Sequence, residues 1–491
     1  MKLKHLIEDL DIKEEIKPKT INLSIKGIAE NSDEVSKDYI FVAVNGYNSN
    51  GHDYIGDAIE KGACVIIGET DIPSLPVPYI RVDNSRKALG VVAKNFYGNP
   101  SKSKLMIGIT GTNGKTTTSY LLKHILEESG KTCSLIGTIQ YVINGNAKES
   151  SNTTPSALDL QKLLYESKDE VIIVEVSSHG LSQQRIEGAM FDFCLFTNLE
   201  HEHLDYHDTI EEYFQTKMLL FNYLKDSGQA IVNTDNYWGE KLVKTLEVRG
   251  ITVYGVGQYA EDELRILRFN NEKSTIAVKE NDEINHIFSP MNGIHNMYNT
   301  AMAYKTSRLL GIPKEGIIES LSYFEGVKGR FETIKLFNGA TVVIDYAHTE
   351  DAVFHCLTTA KKYGAKKVIH VFGFRGDRDQ FKRQGMLAIT SELSDRFVLT
   401  MDDLNTISYS EMIETLNYLN INYGNEKGVI IPDRTLAIKW AIEYTNQDDW
   451  IIITGKGHET YQQNYHSPTN SDQETVRYIA NQQDKNRFGA L

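Results

Sequence analysis

Apolar residues along the chain gather in short, mostly apolar runs at 39–44, 63–68, 79–82, 105–109, 171–176, 194–198, 341–344, 367–372, 396–400 and 450–454. Such runs, too short for helices and flanked by turn or polar residues, predict strands buried on both faces. Helical spacing fills the gaps between them. Residues 54–61 form one helical stretch and 115–129 another, with Tyr120, Leu121, Ile125 and Leu126 returning to one face. This alternation predicts an α/β chain with a parallel, doubly wound sheet. Polar or flexible residues follow the strands directly, among them Asp345, Gly373, Asp402 and Gly455. In open α/β sheets the site lies along that carboxyl edge.

Three blocks separate, at 1–99, 100–330 and 331–491. The segment Tyr97-Gly98-Asn99-Pro100-Ser101-Lys102 has the turn chemistry of a linker between the first two. The length of 491 residues suits about three domains. Neither an internal repeat nor a low-complexity segment is visible. Charged residues at 24% and hydrophobic ones at 41% describe an ordinary globular enzyme. The formal net charge of -14 argues against nucleic acid or an anionic membrane as partner. Four cysteines stand far apart with no CxxC pair, which points to a reducing compartment with neither a zinc site nor a disulfide framework. No signal peptide or membrane span is legible, so the expected location is the cytoplasm.

The most informative segment is Gly108-Ile109-Thr110-Gly111-Thr112-Asn113-Gly114-Lys115-Thr116-Thr117. It joins a predicted strand to a predicted helix, the context that a phosphate loop requires. Glycines let backbone N–H groups converge on phosphate oxygens, and the helix N-terminus adds partial positive charge. Lys115 adds a full charge, and the Thr116 hydroxyl is offered to Mg²⁺. Ile109 stands where the strict Walker pattern has its first glycine. An ordinary glycine turn is the alternative.

GTNGKTTT resembles the ATP loop of the Mur ligases, which assemble the peptide stem of the bacterial cell wall. The resemblance covers essentially the whole chain and extends to the enzymes that add the third stem residue. Its further motifs are NTTPSALDLQ from Asn152, EVSSHGLSQQR from Glu175, FTNLEHEHLDYH from Phe196, YFQTKMLLF from Tyr213 and HNMYN from His295. GRFE from Gly329, DYAHTEDA from Asp345, GDRD from Gly376 and GKGHETYQ from Gly455 follow. The resemblance implies three domains: an N-terminal UDP-binding domain, a central P-loop ATPase with a parallel sheet, and a C-terminal Rossmann-like domain holding the amino acid.

Site residues follow by the same resemblance. Thr116, Glu175 and His203 would hold Mg²⁺, with Lys217 carbamylated to N6-carboxylysine beside a second ion. Read alone, Lys217 is a solvated helix lysine. Gly111 to Thr117, Asn296, Asn299, Arg330 and Asp345 would bind ATP, with His348 also in contact. Lys115, Lys217, His203 and His348 would serve catalysis. Ser32, Asn152, Thr153, Thr154, Ser177, Gln183 and Arg185 would bind UDP-N-acetylmuramoyl-L-alanyl-D-glutamate. The family's DSR motif is reduced here to Asn31-Ser32-Asp33. Glu202 replaces the usual aspartate before the histidine, and Lys328 and Glu350 replace prolines.

Arg378, Asp402, Asp403, Asn405, Gly455 and Glu459 would line the amino-acid pocket. Diaminopimelate-adding members carry DNPR, whereas this chain has Asp402-Asp403-Leu404-Asn405. Asn405 offers no bidentate cationic fork. An acidic pair suits a distal ammonium, and the expectation is L-lysine or another diamino acid. The implied chemistry is ATP-dependent amide formation through an acyl phosphate by a monomer acting on small molecules. Two other readings stay open: a paralogue using another carboxylate, and a P-loop NTPase switch.

Overall fold

The computed structural model describes residues 1–13, 16–46, 49–72, 74–200, 206–376 and 381–488. Three sheets succeed one another along the chain. The first contains β1 (Gly27–Ala29), β2 (Tyr39–Val42), β3 (Ala63–Gly68) and β4 (Tyr79–Arg81), all parallel and in that order. The linker read at 97–102 turns through a left-handed Asn99 into the short 3₁₀ segment Pro100–Ser103.

The second sheet is larger. Its strands are β5 (Leu105–Thr110), β6 (Cys133–Ile136), β7 (Gln140–Ile143), β8 (Asn146–Glu149), β9 (Val171–Glu175), β10 (Phe191–Phe196) and β11 (Leu224–Asn233). β12 (Thr252–Gly257), β13 (Leu264–Asn270), β14 (Thr275–Glu280) and β15 (Glu283–Phe288) complete it. The order is β15-β14-β13-β12-β11-β10-β5-β9-β6-β7-β8. Its middle is parallel, and the hairpin strands β7, β8, β14 and β15 close the two ends antiparallel. β5 and β9 are almost wholly buried because hydrophobic layers cover both faces. Helix Lys115–Glu128 supplies Leu121, Leu122, Ile125 and Leu126 to one layer, which accounts for the spacing read in the sequence.

The third sheet holds β16 (Glu332–Lys335), β17 (Thr341–Asp345), β18 (Val368–Phe374), β19 (Arg396–Met401), β20 (Gly428–Ile430) and β21 (Trp450–Thr454). Its order is β16-β17-β21-β18-β19-β20, parallel except for β16 at the edge. The strand order reverses where β5 meets β10 and β9, and again around β21. Such switch points open crevices at the carboxyl ends of strands. The α/β class is therefore as expected, with parallel sheets framed by antiparallel edges. Among the described residues no helix is long and apolar enough to cross a membrane.

Candidate active site

β5 ends in the phosphate loop, and the loop is held by the neighbouring strand's end. The Thr112 N–H donates to the Asn198 carbonyl at 2.9 Å, and the Asn113 N–H donates to Asn198 Oδ1 at 2.9 Å. Thr197 Oγ1 donates to the Asn113 carbonyl at 2.6 Å. Gly114 has φ +86, and a Cβ there would stand 2.3 Å from Asn299 Oδ1. Only glycine fits this junction. Lys115 folds back over the loop, its Nζ donating to the Gly111 and Thr112 carbonyls at 2.8 Å each.

Glu175, the last residue of β9, is fully buried and collects three hydroxyl donors. Thr116 Oγ1 lies 2.8 Å from Oε2, Thr138 Oγ1 2.7 Å from the same oxygen, and Ser119 Oγ 3.1 Å from Oε1. A buried carboxylate satisfied this way is fixed in place. Thr116 and Glu175 thus meet as expected, giving oxygen donors of the kind that hard Mg²⁺ prefers. Thr138 and Ser119 were not singled out in the sequence. Thr138 had a signal, since it stands two residues past the end of β6. His203 lies outside the described residues.

Lys217 is not the solvated lysine of an isolated reading. It is 1% exposed, its Nζ donating to the Gly111 carbonyl at 2.8 Å and standing 4.3 Å from the Tyr213 ring centroid. The helix Ile210–Met218 carries it under the phosphate loop, with Thr209 Oγ1 capping that helix on the Glu212 N–H.

The residues expected to bind the acceptor form a strip continuous with Glu175. Thr153 Oγ1 is 3.2 Å from Thr138 Oγ1, and Thr154 Oγ1 donates to the Glu175 carbonyl at 2.9 Å. The Ser177 N–H donates to Thr154 Oγ1 at 3.0 Å, and Ser177 Oγ caps the helix Ser178–Ser182. Arg185 grips the Thr154 carbonyl and Gln183 Oε1, both at 2.8 Å. Asn152 is anchored through its carbonyl, which accepts from the Tyr141 hydroxyl at 2.5 Å. Ser32 is buried in the first domain, at the start of the short 3₁₀ helix Ser32–Glu34. From that domain Glu30 reaches Ser156, and burial raises its carboxyl pKa above the usual range.

A cavity of about 520 Å³ opens between the second and third domains. Asn113, Gly114, Thr117, Asn296, Asn299, Arg330 and Asp345 line it, seven of the residues expected to bind ATP. Its volume is that of a small-molecule site. Asn299 Nδ2 donates to Asn296 Oδ1 at 3.2 Å, so the two amides share one wall. Asp345 accepts from the Phe331 and Ala347 N–H groups at 2.6 and 2.7 Å. Burial nevertheless pushes its carboxyl pKa upward. Arg330 lies over the Tyr346 ring at 4.6 Å, and its Nη2 approaches Thr116 Oγ1 at 3.4 Å. His348 Nδ1 sits 2.9 Å from the Tyr346 carbonyl. Gly329, with φ +65, lies so close to the Gly457–His458 backbone that a Cβ would stand 2.2 Å from it.

Glu200 also lines the cavity and was missed in the sequence, because nothing there reveals its partner. Burial and the neighbouring Asp351 carboxyl, with which it hydrogen bonds, push its pKa up to about 7. Its backbone N–H is tied to Thr112 Oγ1 at 3.0 Å.

In the third domain Asp402, Asp403, Gly455 and Glu459 come together as expected. Their electrostatics differ from the expectation. Asp402 and Asp403 are each 2% exposed, and the fully buried Lys456 holds both oxygens of Asp403 at 2.7 Å and Asp402 at 3.2 Å. Burial would raise the Asp402 pKa, but Lys456, Arg434 and Arg375 outweigh it and hold the group below its ordinary value. The acidic pair is thus already neutralised, and the case for lysine drawn from it loses its basis. Asn405 spends its amide on the Gly376 carbonyl at 2.7 Å. Arg378 lies outside the described residues.

Residues 24–97 match the Mur ligase family catalytic domain, 109–306 the Mur ligase middle domain, and 329–457 the Mur ligase glutamate ligase domain. A relative from Fusobacterium nucleatum is 38% identical over 458 residues, 90% of this chain and 91% of its own. The chain belongs to the Mur ligase family. That relative is named UDP-N-acetylmuramoyl-L-alanyl-D-glutamate–2,6-diaminopimelate ligase, as is one from Caldanaerobacter subterraneus at 36% identity, covering 92% of this chain and 93% of its own. A solved structure of a ligase of that same name has TM-score 0.71 at 26% identity, and the match covers 99% of each chain. The MurF ligase of Thermotoga maritima in complex with ADP shares the fold at TM-score 0.65 and 19% identity, covering 96% of this chain and 100% of its own. This Mur ligase is accordingly an ATP-dependent, amide-forming ligase. The relatives' names speak for diaminopimelate and give lysine no support.

Proposed function

We propose that this Mur ligase adds 2,6-diaminopimelate to the D-glutamate carboxylate of UDP-N-acetylmuramoyl-L-alanyl-D-glutamate, a step in peptidoglycan precursor synthesis. The observation that carries the reaction is the hydroxyl relay Thr116–Glu175–Thr138–Thr153. It puts the phosphate loop and the expected acceptor residues side by side, and phosphoryl transfer onto a carboxylate depends on that proximity. The choice of amino acid rests on the names of the relatives.

A free carboxylate needs a better leaving group before an amine can displace it. Phosphoryl transfer supplies one as an acyl phosphate, and the amine then expels phosphate through a tetrahedral intermediate. Lys115 and Arg330 neutralise charge on the transferring group. Thr116 and Glu175 would hold Mg²⁺, with His203 and a carbamylated Lys217 as the further ligands that the family resemblance implies, and the ion would supply charge neutralisation. Asn296, Asn299 and Asp345 hold the nucleoside, and His348 stands beside the Arg330–Tyr346 stack. Gln183 and Arg185 clamp the acceptor, with Ser32 on the uridine side. The setting is the cytoplasm, where ATP is available, and the enzyme works as a monomer in three domains divided near residues 99 and 330.

The test is ATP-dependent phosphate release with the UDP-muramoyl dipeptide and a panel of amino acids. Release that requires both the dipeptide and diaminopimelate is the expected result. Release independent of any amino acid favours the NTPase switch. Indifference to the UDP substrate favours the paralogue.

A further inference from the structure

Arg375 directly follows β18 and stands beside the acidic residues of the expected amino-acid pocket. It forms an ion pair with Glu459 and lies 3.6 Å from Asp402 and 3.8 Å from Asp403. The ionic groups of this pocket differ sharply in access. Lys456, Asp402 and Asp403 have side chains 0–3% exposed, whereas Arg375 and Glu459 are 21% and 26% exposed. Among these described groups, the Arg375–Glu459 pair is the one within reach of an incoming molecule. Position 405 is adjacent, since Asn405 Nδ2 binds the carbonyl of Gly376, the residue after Arg375.

We infer that Arg375 is the specificity residue that grips the distal carboxylate of the amino acid, taking over on β18 the task that Asn405 cannot perform. The inference deepens the diaminopimelate reading and rests on it. Its physical basis is an exchange of partners. The far end of diaminopimelate carries an ammonium and a carboxylate, the mirror of the Glu459–Arg375 pair. Glu459 receives the ammonium and Arg375 the carboxylate, so the pair opens without leaving either charge uncompensated. The guanidinium can meet a carboxylate with two parallel hydrogen bonds. Tyr346, whose hydroxyl donates to Glu459 at 3.1 Å, keeps that carboxylate in place during the exchange. Lysine brings only the ammonium. It would draw Glu459 away and leave the guanidinium with no new anion.

The test compares kcat/KM for diaminopimelate with that for its distal monoamide, which keeps the ammonium and removes the charge of the carboxylate. The wild-type enzyme is expected to favour the dicarboxylate by about 10-fold or more, the worth of a charge-assisted hydrogen bond. In Arg375→Gln the ratio falls to near one while KM for ATP stays unchanged, and Arg375→Lys lies between. A ratio unaltered in both variants, or near one in the wild type, overturns the assignment of Arg375. Equal loss on both amino acids also overturns it, because it would place Arg375 on a group that the two share. A wild-type enzyme that releases no phosphate with diaminopimelate and the UDP acceptor refutes the proposed function itself, and the assignment falls with it.

Discussion

The phosphate loop and the amino-acid pocket solve the problem of buried charge in opposite ways. Around Glu175 a single carboxylate is satisfied by three neutral hydroxyls, from Thr116, Ser119 and Thr138. Around Asp403 the charges satisfy one another, with Lys456 and Arg375 facing Asp402, Asp403 and Glu459. Hydroxyls keep a negative site negative, ready for a cation. Counter-charges offset most of a pocket's negative charge, and a substrate then binds by trading partners. One arrangement suits a metal and phosphate, the other a zwitterion.

The sharpest way to break this contrast is to remove charge from the hydroxyl-bound site. Glu175→Gln keeps the size of the side chain and is expected to lower the rate of phosphate release by about 10²- to 10³-fold. A loss under threefold, measured with saturating substrates, would show that the charge of Glu175 is not used. Lys217→Ala is expected to lose most activity and to regain part of it with added formate or acetate. Intact-protein mass spectrometry of the wild type under bicarbonate should show the mass of one added carboxyl. Full activity in the alanine variant removes Lys217 from the mechanism.

Legibility in the sequence divides along the same line. The phosphate loop is one contiguous strand–loop–helix, so residue types and spacing sufficed to find Lys115 and Thr116. The runs read as strands at 63–68 and 450–454 coincide with β3 and β21, because strands buried on both faces leave uninterrupted apolar runs. Hairpin strands such as β8 did not stand out, since its residues are all exposed and polar. The amino-acid pocket draws on β18, β19 and the loop after β21. Asp402 and Asp403 were visible there, but Lys456, their counter-charge, lies 53 residues beyond Asp403. Nothing local announces that pairing, and the lysine expectation followed from seeing half of it. Glu200 and Asp351 met in the same way, from different domains.

A fully buried ion pair behind the acidic residues calibrates the comparison. Arg434 and Asp472 are both fully buried and joined at 2.7 Å. Arg434→Ala should destabilise the protein by about 3–5 kcal/mol, since it leaves a buried carboxylate unpaired. Thermal or urea unfolding would read it. A loss below about 1 kcal/mol would mean that water reaches Asp472.

The smallest expected effect is a pH dependence. Glu200 has its pKa raised from the ordinary value near 4.5 to about 7 by burial and by Asp351. The folded protein therefore keeps a proton that the unfolded chain releases. Its neutral form favours the fold at low pH, and that contribution is lost as pH rises from about 4.5 through about 7. Glu200→Gln should flatten this part of the stability profile. A profile identical to the wild type between pH 5 and 7.5 would assign the titration elsewhere.

The contact of Gly329 with the Gly457–His458 backbone has a consequence for timing. Because the two segments touch without intervening side chains, Arg330 is carried by the third domain as a rigid attachment. Yet its guanidinium serves Thr116 in the second. Under the proposed function, the phosphate site draws one of its cations from across the domain boundary, so its completeness depends on the two domains standing together as they do here. Under that same function, ATP would be used in step with the docking of the third domain against the phosphate loop.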